Sequence, residues 1–183
     1  MTLPRLIAQA LRPPLTRRPA APERTEVMAL AARLAATGRR APPEALAVRH
    51  IDGGGCGGCA MELAAAQGLA HGLAALGIRF VEDPAAADVL LLTGPVTRNM
   101  APAVARAIER LPPGALVLAV GDCALDGGVF KGSYAVLGGL EALARPDLRL
   151  PGCPPAPSRV VDAFATLIAA LAQAGAGAGQ ERG

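Results

Sequence analysis

The sequence predicts an α/β domain built around a mainly parallel β-sheet, because short apolar runs alternate with segments of helical periodicity between residues 47 and 173. The chain has 183 residues, a length that favours one domain with appendages. Its residues are 52% hydrophobic and only 2% aromatic, so a core of aliphatic side chains is expected. The scarcity of aromatic side chains also leaves almost no stacking platform for single-stranded nucleic acid.

Residues 1–46 are predicted to form a basic arm rich in Pro and Arg. They contain eight Arg and three Glu, whereas residues 47–183 contain ten basic and twelve acidic side chains. Four apolar side chains at helical spacing predict one amphipathic helix in the arm: Val27, Leu30, Ala31 and Leu34. A segment that only solubilised the protein would not need an apolar helix face, so we expect the arm to dock on a partner subunit or on an anionic membrane surface.

Neither membrane insertion nor export is indicated by the sequence. Gly, Pro or charged residues interrupt every apolar run before it reaches 18 residues, and residues 1–11 lack the apolar core of a secretory signal. The first 22 residues are free of acidic side chains, which also suits a mitochondrial transit peptide. Five prolines among them oppose the amphipathic helix that such a peptide needs, so a soluble or peripheral cytoplasmic protein is expected.

Five apolar runs predict the strands of the sheet: residues 47–51, 78–81, 89–92, 116–120 and 148–150. Helical spacing predicts three helices in the same region: from about residue 60 to a stop at Gly77, over residues 100–111 and over residues 160–171. The domain is therefore expected to cover residues 47–173. Residues 174–183 are expected to form a flexible tail with nothing to bury.

Each of the four cysteines falls in a predicted loop just after a strand. Cys56 and Cys59 follow the first strand, Cys123 follows the strand ending at residue 120, and Cys153 follows the last strand. Because the carboxyl ends of parallel strands meet at one edge of a sheet, we expect these side chains to converge there. Glycines surround all four, and we expect them to let the backbone approach a bulky inorganic core.

Several kinds of chemistry are compatible with this set of thiols. A redox dithiol needs only two cysteines and leaves Cys123 and Cys153 unexplained. Structural zinc usually takes its ligands in two pairs, whereas here one C-x-x-C pair joins two distant single cysteines. Four thiolates at glycine-rich strand ends, with Pro154 directly after the last of them, favour an iron–sulfur cluster. A zinc-stabilised interaction module without redox function is retained as the alternative.

Four stretches of the sequence, in this order, carry a family likeness: residues 52–62 (DGGGCGGCAME), 87–100 (ADVLLLTGPVTRNM), 120–130 (VGDCALDGGVF) and 151–155 (PGCPP). Over about residues 50–171 the chain resembles the 20 kDa (B) subunit of NADH:quinone oxidoreductase and the related small subunits of energy-converting nickel–iron hydrogenases and formate hydrogenlyase. The two-residue gap between Cys56 and Cys59 resembles the hydrogenase-related branch, since the first two ligands in the respiratory enzymes are typically adjacent.

The resemblance implies a flavodoxin-like domain whose Cys56, Cys59, Cys123 and Cys153 bind one [4Fe–4S] cluster. It also implies an electron-transfer subunit that works with a large catalytic-type subunit, a ferredoxin-like iron–sulfur subunit and membrane subunits, in a complex on the inner face of the cell membrane. Electrons would pass to quinone or to a nickel–iron site at the interface with the large subunit. Catalysis would belong to the complex, and the chain alone is not expected to turn over.

Other polar residues near the cysteines have simpler interpretations beside functional ones. Glu62 is predicted on the first turn of the helix after the first cysteine pair, where a carboxylate also favours the positive helix end. Because the family pattern keeps an acid here, we hypothesise that Glu62 supports proton transfer coupled to cluster reduction. Asp122 and Asp126 are interpreted as loop residues that hydrogen-bond local backbone. Arg98 is interpreted either as neutralising cluster or partner charge or as solvated, and His50 is not needed as a ligand.

Overall fold

The computed structural model describes residues 45–68 and 72–180, in which a parallel sheet occupies the centre. Seven strands occur in this part of the chain: β1 (Leu46–Asp52), β2 (Ile78–Phe80), β3 (Val89–Thr93), β4 (Val96–Thr97), β5 (Leu116–Val120), β6 (Val136–Gly138) and β7 (Leu148–Leu150). Five of them form one sheet in the order β2-β1-β3-β5-β7, and every neighbouring pair is parallel. Numbered among themselves, these five strands have the flavodoxin-like order 2-1-3-4-5. The predicted α/β fold is confirmed.

The two central strands are apolar at almost every position. β3 and β5 are buried along their whole length, and they pair in register from Val89 with Leu116 to Thr93 with Val120. Both faces of a parallel sheet are covered by other elements, so its central strands have no solvent-facing side that would call for polar residues. This is why the continuous apolar runs predicted these strands to within one residue.

Four α-helices cover the sheet in the described part of the chain: α1 (Gly58–Gly68), α2 (Ala101–Glu109), α3 (Asp122–Asp126) and α4 (Pro157–Gln180). On one face, α1 and α4 bury a core that includes Phe164 and Leu91. On the other face, α2 and α3 bury a second core that includes Val104 and Leu90. Adjacent strand residues thus serve opposite cores, because successive side chains of a strand point to opposite faces.

The helix predicted to run from about residue 60 to Gly77 is divided. α1 begins earlier, at Gly58, and Leu73–Leu76 forms a separate 3-10 turn, with residues 69–71 outside the described residues. Glycine in a helix interior costs about 1 kcal/mol relative to alanine, and both Gly68 and Gly72 fall in this interval. The predicted stop is observed: Gly77 adopts a left-handed conformation with φ 75° and ends the 3-10 turn.

The last helix continues past residue 173, where the domain was expected to end. α4 runs to Gln180, and Ala174, which is 7% exposed, belongs to the core that α4 forms with the sheet. Alanine has the highest helix propensity, which favours continuation of the helix, although each intervening glycine costs about 1 kcal/mol. The first part of the predicted flexible tail is therefore helical. Residues 181–183 and the arm helix predicted over residues 27–34 lie outside the described residues.

A short antiparallel pair, β4 with β6, was not predicted. Val96 pairs with Gly138 and Thr97 with Val136, and the N–H of Arg98 donates to the carbonyl of Ala135 at 2.9 Å. Strands of two and three residues are too short to show a hydrophobic period. The pair connects the segment after β3 to the segment after α3, both of which border the cysteines. None of the described helices combines the length and the apolar content required to cross a membrane.

Candidate cysteine-lined metal centre

The four cysteines lie at the carboxyl edge of the parallel sheet, as the strand prediction required. Cys56 follows β1, Cys123 follows β5 and Cys153 follows β7. Two of the four lie in helices rather than in the loops expected for them: Cys59 is the second residue of α1, and Cys123 is the second residue of α3. Cys56 and Cys153 are exposed, Cys59 is half-buried and Cys123 is buried.

Close backbone contacts bring the cysteine segments together. A Cβ atom at Gly121 would collide with Sγ of Cys59, so the start of α1 lies directly against the end of β5. A Cβ atom at Gly58 would lie 3.5 Å from Sγ of Cys56 and 3.8 Å from Cγ of Pro154. The first cysteine pair therefore lies beside the segments that carry the other two cysteines.

The pKa values of the thiols reflect this proximity. Burial raises the pKa of Cys59 to about 11, and the other three cysteines add to the rise. Burial also raises the pKa of Cys123, against the hydrogen bond from the backbone N–H of Val129, and Cys153 and Cys56 again add to the rise. Four thiolates in this region would repel one another, so a positively charged centre must compensate them if all four are to ionise together.

The thiols share a region without closing on one point. Among the described residues, no three His, Cys, Asp or Glu side chains are placed to hold a single metal ion. The four cysteines nevertheless supply sulfur donors, which suit zinc and iron–sulfur clusters and not magnesium or calcium. A centre at this site would therefore be one that takes thiolate ligands.

Asp52 organises the loop that leads to Cys56. Its Oδ1 accepts hydrogen bonds from the backbone N–H of Gly54 at 2.8 Å and of Gly55 at 3.0 Å. The carbonyl of Gly53 accepts from both the backbone N–H and the hydroxyl of Thr97, at 3.0 and 2.8 Å. The loop is thus fixed between the end of its own strand and the neighbouring segment after β3 before it reaches the cysteine.

Three of the glycines in this loop have a different role from the one predicted. A Cβ atom at Gly54 would lie 2.6 Å from Oγ1 of Thr97, and Cβ atoms at Gly53 and Gly55 would meet Pro95 and Gly94. These glycines let two loops pack on each other rather than letting the backbone approach an inorganic core. The expectation fits two glycines elsewhere: Gly121, against Cys59, and Gly128, whose Cβ would lie 2.8 Å from Sγ of Cys123.

Asp122 joins the segments that carry Cys123 and Cys153. Its Oδ1 accepts from the N–H of Gly152 at 2.7 Å, and its own N–H donates to the carbonyl of Gly152 at 2.9 Å. Asp122 was interpreted as bonding local backbone, but its partner lies 30 residues away in sequence. Adjacent strands β5 and β7 are what bring these residues together, so the residue fixes one candidate ligand segment relative to another. For Asp126 the local interpretation is correct, since its Oδ1 accepts from the N–H of Gly128 at 2.9 Å.

Glu62, Arg98 and His50 occupy distinct positions around the site. Because α1 begins at Gly58, half-buried Glu62 is its fifth residue and lies beyond the first turn, where the helix dipole would have favoured it. Exposed Arg98 donates through Nε to the carbonyl of Tyr134 at 2.7 Å. His50 lies 2.8 Å from the hydroxyl of buried Thr93 through Nε2, and burial lowers its pKa. His50 is thus accommodated as a strand residue bonded to its neighbour.

Exposed apolar side chains near the cysteines were not singled out from the sequence. Met61 is 73% exposed, two residues after Cys59, and Val129 is 77% exposed, one residue after the glycine that contacts Cys123. Tyr134, at 91%, and Leu137, at 41%, belong to the same stretch after α3. In the sequence, Val129, Tyr134 and Leu137 stand among Gly, Lys and Ser residues. Large apolar side chains in such a polar loop have no core to enter, and this pattern could have identified them as exposed.

The exposure of the thiols predicts an order of alkylation in metal-free protein. We expect iodoacetamide at pH 8 to modify Cys56 and Cys153 first, because both are exposed. Cys59 and Cys123 should react more slowly: the pKa of Cys59 is raised to about 11, so only about one molecule in a thousand is a thiolate at that pH, and Cys123 is buried. Peptide mapping by mass spectrometry over time measures the order. Equal rates at all four positions would contradict it, and unfolding in urea is the control that should equalise them.

Comparisons with known proteins agree on one family. Residues 56–167 match the family model described as NADH ubiquinone oxidoreductase, 20 Kd subunit. An uncharacterised protein of Methanocaldococcus jannaschii is 40% identical over 112 residues, covering 61% of this chain and 75% of that protein. Formate hydrogenlyase subunit 7 of Escherichia coli is 36% identical over 126 residues, covering 69% of this chain and 49% of that protein. An NADH-quinone oxidoreductase subunit of Desulfovibrio desulfuricans is 38% identical over 109 residues, covering 60% of this chain and 59% of that protein.

The fold is also shared with a solved structure. A chain in the structure of the membrane-bound sulfane sulfur reductase, an archaeal respiratory membrane complex, matches with a TM-score of 0.61 and 26% identity. The match covers 70% of this chain and 71% of that chain. The chain spans only about half of formate hydrogenlyase subunit 7 and about three fifths of the NADH-quinone oxidoreductase subunit, so the similarity concerns only part of each.

Proposed function

The chain belongs to the family of the NADH ubiquinone oxidoreductase 20 Kd subunit, and we propose that it carries one [4Fe–4S] cluster on Cys56, Cys59, Cys123 and Cys153. The cluster would accept and release single electrons within a larger oxidoreductase complex. The observation that carries the proposal is that four thiols from three strand ends lie at one edge of the sheet. Catalysis would belong to the complex, and the chain would be inactive alone.

The residues present fit such a cluster. All four donors are thiolates, the usual ligands of a [4Fe–4S] cluster. Space beside two of them depends on glycine, because a Cβ at Gly121 or Gly128 would meet a cysteine sulfur. The backbone N–H of Val129 points at Cys123, and such donors partly neutralise a negatively charged cluster.

The zinc alternative fits the geometry less well. A structural zinc ion needs four ligands at about 2.3 Å from one point. The described His, Cys, Asp and Glu side chains offer no three that converge in this way. In a [4Fe–4S] cluster each thiolate binds a different iron, so thiols that do not meet at one point favour the cluster over the single ion.

Anaerobic purification of the full chain with its partner subunits tests the cluster. We expect a brown protein with about four iron atoms per chain and an EPR signal that develops on reduction. Cys→Ala substitution at each of the four positions should lower the iron content. Colourless protein with one zinc ion per chain would overturn the proposal, and a cysteine whose loss leaves the iron unchanged is not a ligand.

Electrons are proposed to leave across the surface next to Cys123. Val129 and Tyr134 expose most of their side chains there, and large apolar groups in contact with water are typical of surfaces that a partner covers. Met61 lies two residues beyond Cys59 and adds to the same argument. The proposed partner is the large catalytic-type subunit, with quinone or a nickel–iron site as the acceptor at the interface. A ferredoxin-like subunit and membrane subunits complete the proposed complex.

Aspartate at these exposed apolar positions tests the interface. We expect Val129→Asp and Tyr134→Asp to prevent copurification of the large subunit, because a charge would be buried without a partner. The iron content of the chain should remain unchanged. Ala85→Asp, an exposed position before β3 at the other end of the strands, is the matched control and should assemble normally. Normal assembly of both test variants would place the interface elsewhere.

The acceptor depends on the branch of the family. The two-residue gap between Cys56 and Cys59 supports the hydrogenase-related branch, whereas the family description names NADH ubiquinone oxidoreductase. The sequence of the copurified large subunit separates the two possibilities. Two C-x-x-C pairs for nickel would support hydrogen chemistry, and their loss would support quinone reduction.

Glu62 is proposed to move protons when the cluster changes charge. It is half-buried, three residues after Cys59, and its place beyond the first turn removes the helix-dipole explanation for an acid there. Glu62→Gln should slow turnover of the complex without changing its iron content, while Glu109→Gln, an exposed acid at the end of α2, serves as control. Unchanged turnover of Glu62→Gln would refute the role.

The proposed location is the inner face of the cell membrane, as a peripheral subunit. The matching solved structure belongs to a respiratory membrane complex, which supports this position. In lysed cells the chain should sediment with membranes and be released by alkaline carbonate, which strips peripheral proteins. Recovery of all of the chain in the soluble fraction would contradict the proposal.

A further inference from the structure

The turn that follows α3 is closed by one side chain, Asp126. Its Oδ1 accepts from the N–H of Gly128 at 2.9 Å, and its Oδ2 pairs with Nζ of Lys131 at 2.9 Å. Within the turn, the N–H of Phe130 donates to Gly127 at 3.0 Å and the N–H of Lys131 donates to Gly128 at 3.1 Å. The Asp126 side chain therefore contacts the third and the last residue of the six-residue turn that it begins.

This turn lies directly against Cys123. A Cβ atom at Gly128 would lie 2.8 Å from Sγ of Cys123 and 2.9 Å from its backbone nitrogen. The next residue, Val129, directs its N–H at the same sulfur. The orientation of that N–H depends on the conformation of Gly128, and Asp126 fixes the N–H of Gly128. A chain of contacts thus connects an exposed carboxylate to a candidate ligand sulfur.

Stability alone does not account for the Asp126 contacts. The side chains of Lys131 and Asp126 are 66% and 56% exposed, and ion pairs this exposed contribute little to folding. The hydrogen bond from Lys131, together with the N–H of Gly128, lowers the pKa of Asp126, so the carboxylate stays ionised at neutral pH. The ionised carboxylate therefore remains available to accept the hydrogen bond from the N–H of Gly128.

We propose that Asp126 is a positioning residue that keeps the Val129 N–H on the sulfur of Cys123 and thereby raises the reduction potential of the cluster. The inference rests on the proposed function. Reduction adds negative charge to a cluster, so an N–H dipole directed at a ligand sulfur stabilises the reduced form more than the oxidised form. Loosening the turn weakens that dipole and shifts the potential in the negative direction.

Two substitutions separate the acceptor from the charge. Asp126→Asn keeps an oxygen that can accept from Gly128 but removes the negative charge, whereas Asp126→Ala removes both. Asp83→Ala is the matched control, because Asp83 also accepts from a backbone N–H two residues ahead, Ala85, and also pairs with a cation, Arg110. Asp83 is similarly exposed and precedes β3, at the other end of the strands.

The measurement is an EPR-monitored redox titration of the full chain, purified anaerobically with its partner subunits. We expect the midpoint potential of Asp126→Ala to lie below that of Asp126→Asn, while Asp126→Asn and Asp83→Ala stay close to the unsubstituted protein. Electron nuclear double resonance after exchange into D2O should show weaker coupling to an exchangeable proton in Asp126→Ala only. If Asp126→Ala loads less iron, the titration still reports on the loaded fraction.

Two different failures can be told apart. Unsubstituted protein without iron would overturn the proposed function itself. Iron-loaded protein in which Asp126→Ala and Asp126→Asn share one midpoint potential would leave the proposed function intact and overturn the role of Asp126. An equal negative shift in Asp83→Ala would also overturn it, because the effect would then follow from loss of any surface carboxylate.

Discussion

Gly121→Ala is expected to abolish assembly of the proposed cluster while the domain remains folded. A Cβ at this position would collide with Sγ of Cys59 and lie 3.4 Å from the carbonyl of Gly152. Cys59 could escape the collision only by turning its sulfur away, and a sulfur turned away cannot bind iron. The positive φ of 91° adds backbone strain of about 1–3 kcal/mol, which a domain of ordinary stability can tolerate.

The control for this substitution is another glycine with positive φ. Gly114 has a φ of 86°, but a Cβ there would meet no atom within 4 Å. Iron content and visible absorbance measure assembly, and far-UV circular dichroism measures folding. We expect Gly114→Ala to bind iron normally and Gly121→Ala to bind little. Equal iron in both would show that Cys59 has room to move, which would weaken its assignment as a ligand.

The sequence predicts the parallel sheet well because each strand is identified by its own run of apolar residues. Runs such as residues 89–93 and 116–120 are apolar throughout, and buried parallel strands need little else. The same strand prediction also indicates which edge of the sheet carries the cysteines, because the carboxyl ends of parallel strands lie at one edge. Knowledge of the strand ends was enough to predict that residues as distant as Cys56 and Cys153 lie at the same edge of the sheet.

Contacts between loops could not be predicted in the same way. Asp122 bonds Gly152, and Gly54 fits against Thr97, only because the strand order β1-β3-β5-β7 makes their loops neighbours. Nothing in the local sequence distinguishes a glycine that accommodates another loop from one that accommodates a metal centre. The continuation of α4 beyond residue 173 was missed for a related reason, because Ala174 packs in a core to which distant strands contribute.

The same core connects stability to the site, which makes Phe164 the position with the largest expected cost. Phe164 is 1% exposed, and it lines a small apolar cavity between α4 and strands β5 and β7. Those two strands lead into the segments of Cys123 and Cys153. Phe164→Ala would enlarge the cavity, and truncation of a buried phenylalanine costs about 3–5 kcal/mol.

We therefore expect Phe164→Ala to lower the free energy of unfolding by about 3–5 kcal/mol and to release iron at a lower urea concentration. Anaerobic urea titrations followed by circular dichroism and visible absorbance measure the two effects on one sample. Tyr134→Ala is the control, since a side chain 91% exposed should change the free energy of unfolding by no more than about 0.5 kcal/mol. If Phe164→Ala unfolds early but keeps its iron until the unsubstituted protein loses its own, the cysteines do not depend on this core. Loss of iron together with the fold would show instead that α4 maintains the site through the strands on which it packs.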